Sequence, residues 1–256
     1  KAILYEHDTS NVVVKNTDFY GQIIICNVTD SLIENVSVID GSAIELFNSM
    51  NITLNRVSVI RNTGVGVQVL YSHNNTLSNS RLLFANDDNI YMCGSNGNVI
   101  ENSTFRGSGF GGHEGVHIYE ASSFNTIRNN NIQFQSISGL AIIDYTTYLS
   151  NGCTLGGPGT NNVIVGNTIA NNGINLSVGT VGDGITLGGV DSTTVSNNLI
   201  INNVHSGINM FGGTFGQTTF SSDNNVVSGN TILSNNLAGI NQVAGISVGG
   251  IGITSS

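Results

Sequence analysis

The chain has 256 residues, 39% of them hydrophobic and only 9% charged, with 33 Gly, one Pro, no Trp and a formal net charge of -9. That length holds one sizeable core or a stack of repeats, and so acidic a balance lacks the basic footprint that phosphate contacts need, which excludes nucleic acid as a partner. No apolar run reaches transmembrane length, and Asn, Gly and β-branched residues stand where a helical protein would carry Ala, Glu, Lys and Leu, so the chain reads as all-β.

In chain order the same pattern recurs as "NVVVKNTDF", "DSLIENVSV", "NITLNRVSV", "NNTLSNSRL", "GNVIENSTF", "FNTIRNNNI", "NNVIVGNTI", "STTVSNNLI" and "NNVVSGNTI". Each holds two apolar residues five apart. The pairs are Val14 and Phe19, Ile33 and Val38, Leu54 and Val59, Leu77 and Leu82, and Ile100 and Phe105, then Ile127 and Ile132, Ile164 and Ile169, Val195 and Ile200, and Val227 and Ile232. Successive first members are 19 to 37 residues apart, the spacing of a solenoid. Most repeats contain a further short strand, usually after Gly: "AIELF", "GVGVQVL", "DNIYMC", "GVHIY", "GLAII", "GITL" and "GINMF". Its alternation, as in Val67-Gln68-Val69 or Val116-His117-Ile118, buries one face.

About 23 residues per repeat cannot supply the four strands of a propeller blade, and the leucine-rich signature is missing. The expected fold is a single-stranded right-handed parallel β-helix of about nine coils, its hand following strand twist. Coils stacked at about 4.8 Å make a rod about 40 Å long, with Asn side-chain ladders at the turns. Residues 1–256 form one domain in this reading. Because Lys1 enters the first coil almost at once, we expect a cap or adjacent domains in a longer secreted protein. Cys26, Cys93 and Cys153 read as buried thiols, and Asn-x-Ser/Thr triplets at Asn27, Asn35, Asn51, Asn74, Asn102 and Asn175 agree with a secreted or cell-surface location.

"FNTIRNNNI" and "NNVIVGNTI" resemble the parallel β-helix repeats of carbohydrate-binding and sugar-hydrolysing domains and of NosD-like periplasmic proteins. The resemblance covers nearly the whole chain and implies the fold and a polysaccharide partner; unrelated activities share this repeat.

"GGHEGVHIYE" contains His-Glu-x-x-His at His113, Glu114 and His117. The flanking glycines exclude a stable helix, and on a strand the two imidazoles stand about 13 Å apart, too far for one zinc. We therefore expect no metal there. Outward residues of successive coils form a ladder of Glu45, Gln68, Tyr91, His117, Ala141, Thr186 and Asn209. Asp87 and Asp88 precede one strand of it, His113 and Glu114 the next, and Arg106, Tyr119 and Glu120 are near in sequence. His7, His73 and His205 read as surface residues, Asp183 and Asp191 as turn residues. The wide later coils put Asp144, Tyr145 and Tyr148 on the far side of a groove.

The run from "NDD" at 86–88 to "GGHEG" at 111–115 resembles the heart of polygalacturonase-type glycoside hydrolases, which carry Asn-Thr-Asp, Asp-Asp and Gly-His-Gly on successive coils. Here Asn62 and Thr63 match, but Gly64 replaces the third Asp, and no Arg-Ile-Lys follows. The resemblance covers about a quarter of the chain. It implies inverting hydrolysis, with Asp87 as acid, Asp88 holding the water and His113 tuning the acid. Glu114 would stand in for the missing carboxylate by coil adjacency. The substrate contacts would be Glu45, Gln68, Tyr91, Arg106, His117, Tyr119 and Glu120. Two alternatives stay open. One is a polysaccharide lyase or uronate epimerase, to which a calcium ion at Asp87 and Asp88 would add the missing positive charge; otherwise no cofactor is needed. The other is a non-enzymatic glycan-binding or structural surface rod.

Overall fold

The computed structural model describes residues 1–108, 113–119, 121–144, 159–174, 182–215, 218–237 and 245–250. Every regular element among them is a β-strand, and none is a helix that could cross a membrane. Strands repeat in threes, so each coil is a triangle. The first face includes Ile44–Phe47, Val67–Leu70, Ile90–Cys93, Val116–Tyr119, Leu140–Ile143 and Ile185–Gly188, and the second includes Met50–Asn55, Thr76–Ser78, Val99–Glu101 and Thr126–Arg128. The third includes Ser58–Ile60, Arg81–Leu83, Thr104–Arg106 and Asn131–Gln133. In the second coil one strand, Tyr20–Ile39, runs unbroken round all three faces. Pairing between coils is parallel; the exception is the hairpin of Ile208–Phe215 with Thr218–Phe220.

The two residues of each repeated pair lie on different faces, with a corner between them. First members stack from Val14 through Ile33 and Leu54 to Val227, nine rungs in all, and second members from Val38 through Val59 and Leu82 to Ile232. Phe19 breaks the pattern: it belongs to no strand and is 62% exposed, its own coil forming no third-face strand. The rest join one column of buried Ile, Leu and Val that fills the triangle.

Corners explain the Asn content. Turning sharply between faces requires a left-handed residue, and Asn tolerates that region better than any residue but Gly. Asn79, Asn102, Asn129 and Asn197 hold φ of 50° to 56° at one corner, with Gly166 and Gly229 at the same place in other coils. Asn27, Asn35, Asn51, Asn74 and Asn102, all read as Asn-x-Ser/Thr triplets, are such corner residues. After the corner comes a buried polar side chain that turns inward and binds the next coil. Asn130, Asn167, Asn198 and Asn230 form one ladder, each amide nitrogen donating to the next carbonyl oxygen at 2.9–3.0 Å. Asn75, Asn98, Asn125 and Asn162 form another at 3.0–3.2 Å. These side chains also bind backbone groups that the corner frees, so the buried amides of the ladders are satisfied.

The glycine before the first-face strand is required by close approach. A Cβ on Gly66 would lie 2.5 Å from the Asn89 carbonyl oxygen, and one on Gly115 2.5 Å from that of Gly139. Cys26 is free, whereas Cys93 is disulfide-bonded, contrary to the buried thiol expected; Cys153 lies outside the described residues.

Candidate functional site

The outward ladder is in the expected register: Glu45 beside Gln68, Gln68 beside Tyr91, Tyr91 beside His117, His117 beside Ala141, then Thr186 and Asn209. Glu45 accepts a hydrogen bond from Gln22 at 2.8 Å. The corner leading into this face stacks two further columns. Two residues before each strand stand Val65, Asp88, Glu114, Ser138, Asp183 and Ser206; three before stand Gly64, Asp87, His113 and Ile137. Coil stacking therefore brings Asp87 onto His113 and Asp88 onto Glu114.

Two histidine–carboxylate pairs result, side by side. His113 Nδ1 is 2.7 Å from Asp87 Oδ1, and both side chains are about one third exposed. His117 Nδ1 is 3.2 Å from Asp88 Oδ2 and 3.6 Å from Glu114 Oε2, in a buried setting. Backbone N–H groups fix both aspartates. The amide of Glu114 donates to Asp88 Oδ1 at 2.7 Å, and that of Asp88 donates to Asp87 Oδ1 at 2.9 Å. Ser136 Oγ accepts from the His113 amide at 2.8 Å and holds its turn. The ring of His117 meets Tyr91 and Tyr119 edge to face, with centroids 5.6 and 5.4 Å away, an arrangement that favours an imidazolium.

The environments push these groups apart. The hydrogen bond from His113 holds Asp87 below the ordinary carboxylate range, and the same bond raises His113. Burial pushes Glu114 up to about 7. Burial alone would lower His117, but the charges of Glu114 and Asp88 outweigh it and lift the ring to about 9. The lowered pKa of Asp87 favours its ionised form, which weighs against the expected role as the acid. The more protonated carboxyl is Glu114.

Other expected contacts divide. Tyr91 and Tyr119 are buried, 3% and 8% exposed, and support His117 from within a small apolar cluster instead of facing solvent. Arg106 lies on the third face, its guanidinium 4.7 Å over the Phe134 ring. Glu120, Tyr145 and Tyr148 lie outside the described residues, and Asp144 is buried. His205 is buried, not a surface residue. Asp183, read as a turn residue, is also buried: it accepts from the Ser206 amide at 2.9 Å, from Asn209 at 3.0 Å and from Thr186 at 3.2 Å. The signal missed was its place two residues before "ITLG", the place of Asp88 before "IYMC".

His113 and His117 do not share a ligand group. Asp87, Asp88 and His113 bring ligand atoms within 4.8 Å of one another, as do Asp88, Glu114 and His117. Two carboxylates and an imidazole are a poor set for calcium, which takes six to eight oxygens.

The raised groups set a pH dependence of stability. A histidine whose folded pKa lies above its unfolded value stabilises fully below the unfolded value and loses that contribution as pH rises through the folded one. For His117 the window runs from 6.5 to about 9, and Glu114 acts in the same direction between 4.5 and about 7. Denaturant titrations should show stability falling by about 2–3 kcal/mol across the upper window. A His117 ring resonance titrating near 6.5 would contradict this electrostatic picture.

No curated protein matches the chain in sequence. Among solved structures it is similar to the A-module of the Azotobacter vinelandii mannuronan C-5 epimerase AlgE4, with 14% identity, a TM-score of 0.68, and 97% of this chain and 76% of that one covered. The periplasmic alginate epimerase AlgG is 12% identical at a TM-score of 0.66, over 89% of this chain and 59% of its own length. Pectate lyase Pel9A is 14% identical at 0.52, over 91% and 69%. Identities this low establish the fold alone. The family model described as right handed beta helix region matches residues 2–155, and with the triangular coils seen here it follows that the chain belongs to that right-handed β-helix family.

Proposed function

We propose that the chain is an extracytoplasmic enzyme that modifies an acidic polysaccharide by moving a proton beside a uronate carboxylate, as a lyase or epimerase does. The carrying observation is the pair of histidine–carboxylate units on one corner, one half-exposed and one buried. Environments that push titratable groups apart assign acid and base. His113, its Nδ1 proton directed at Asp87, presents Nε2 as general base. The Asp88–Glu114–His117 group holds protons on the other side and serves as the acid reservoir. The similar solved structures named as mannuronan epimerase, alginate epimerase and pectate lyase support the substrate class. The disulfide at Cys93 and the periplasmic location in AlgG's name support an oxidising compartment.

Glycoside hydrolysis is the second reading, favoured by the raised pKa of Glu114, the property a general acid needs. Against it, ligand oxygens of Glu114 and Asp88 lie within 4.8 Å, whereas an inverting pair leaves room for its water with about 6.5–9.5 Å between carboxyls. The assay is incubation with alginate, polymannuronate and polygalacturonate in heavy water. Elimination yields an ultraviolet-absorbing unsaturated uronate, epimerisation exchanges the C5 hydrogen without cleavage, and hydrolysis yields reducing ends without the chromophore. His113→Ala should lower the first two about 10²–10⁴-fold. Because both Asp88 oxygens and Asp87 Oδ1 already face N–H donors, activity should survive a chelator. If no polysaccharide is altered, the enzymatic reading is abandoned in favour of a binding rod.

A further inference from the structure

One corner carries residues unsuited to it. After the third-face strands the left-handed position is held by Asp40, Asn171 and Asn202, which tolerate it, by Arg61 and Ser234, and by Phe84 and Phe134 at φ 58° in two coils. A bulky ring there is strained, and Phe84 is 51% exposed, so burial does not offset the strain. Between these coils the position is Gly107, where a Cβ would meet the Phe84 ring at 2.9 Å. The Phe84 ring therefore lies against Gly107, and with Phe134 it lines a hollow of about 520 Å³.

Arg106 lines the same hollow. Its flat face lies over Phe134, and it is exposed. The other arginines found in ion pairs face carboxylates, Arg61 on Asp40 at 2.7 Å and Arg128 on Glu101 at 2.6 Å. Like Arg56 and Arg81, Arg106 has no carboxylate at ion-pair distance among the described residues, and of these three it is the one that lines the hollow. In a chain with seven basic residues and a net charge of -9, a guanidinium without an ion-paired carboxylate beside two strained rings, one exposed and one half-buried, has the chemistry of a binding site for an anionic sugar. The ring faces suit the apolar side of a pyranose, and the edge of the guanidinium suits a carboxylate in bidentate contact. The hollow borders the acid–base corner, for it is lined by Asn86, next to Asp87, and by Ser136, which holds the His113 amide.

We propose that this hollow is an accessory subsite that seats a uronate residue of the polymer chain, with its carboxylate on Arg106 and its ring against Phe84 and Phe134. The proposal deepens the acidic-polysaccharide reading and rests on it for the substrate class. Its test uses binding, so that it does not depend on turnover. In a His113→Ala background, oligogalacturonate and oligomannuronate are titrated calorimetrically, with a cello-oligosaccharide as the neutral control. Arg106→Gln should weaken the acidic oligomers about tenfold without improving the neutral one. Phe84→Asn and Phe134→Asn should weaken binding while the melting temperature holds or rises, since Asn accepts that backbone. Acidic oligomers bound within twofold of the parent by Arg106→Gln, or no stronger than the neutral control, would overturn the subsite. Activity lost in His113→Ala with binding unaffected by the hollow variants would refute this inference alone; binding at the hollow without activity in the parent would refute only the enzymatic reading.

Discussion

Replacing Asp88 by Asn should leave the fold standing and reduce turnover by about 10²–10⁴-fold. The amide oxygen still accepts the Glu114 N–H that the carboxylate accepts at 2.7 Å, so the turn is kept. The amide nitrogen, however, meets the Nδ1–H of His117 with another donor, where the carboxylate oxygen stood at 3.2 Å. His117 then loses one of the three carboxylate charges that lift its pKa to about 9, and burial draws it down. Two readouts follow. The rate falls in the polysaccharide assay, and the His117 resonance titrates at lower pH. A variant with full activity and an unchanged titration removes Asp88 from the acid group and returns it to turn support.

The second large effect lies in the scaffold. Asn167→Ala should cost about 3–5 kcal/mol of stability, because it strands several buried partners at about 1–3 kcal/mol each. Asn167 Oδ1 accepts both the backbone N–H and the side-chain amide of Asn130, at 2.9 and 3.0 Å. Its Nδ2 donates to Ile127 O at 2.9 Å and to Asn198 Oδ1 at 3.0 Å. Alanine satisfies none of these. Asn167→Ser should cost less than half as much, since Ser80 and Ser103 already do the job at the same corner, with the Ser103 hydroxyl accepting the Ser80 amide at 3.0 Å. Denaturant unfolding of the three proteins measures the difference. Equal stability of the Ala and Ser variants would mean that the ladder is decoration on the apolar column.

Much of this molecule was legible because a solenoid repeats its environment. Leu77 and Leu82 announce an inward pair with a corner between them, and the same two positions predict Ile100 and Phe105 one coil on. The ladder from Glu45 to Asn209 was readable for the same reason: period two along a strand fixes the face, and the repeat fixes the register. Phe19 was misread because a repeat pattern does not say whether a given coil forms all three of its strands. Arg106 was near the acids in sequence but turned a corner away from them, onto Phe134.

The roles within the cluster were not legible. A sequence shows that Asp87, Asp88, His113, Glu114 and His117 meet, but a proton's position depends on burial and on which oxygen each N–H reaches. Asp87, half-exposed and bonded to His113, is ionised; Glu114, buried, holds its proton to about 7. Asp183 was missed because its partners Thr186, Ser206 and Asn209 come together only by stacking.

The sequence by itself determined the winding of the chain, because apolar spacing, corner asparagines and strand-leading glycines each exclude other backbones locally. Only the tertiary structure decided which carboxyl keeps a proton, which tyrosines are buried and which arginines pair with a carboxylate. Those outcomes depend on desolvation and on contacts between coils, and distance along the chain measures neither.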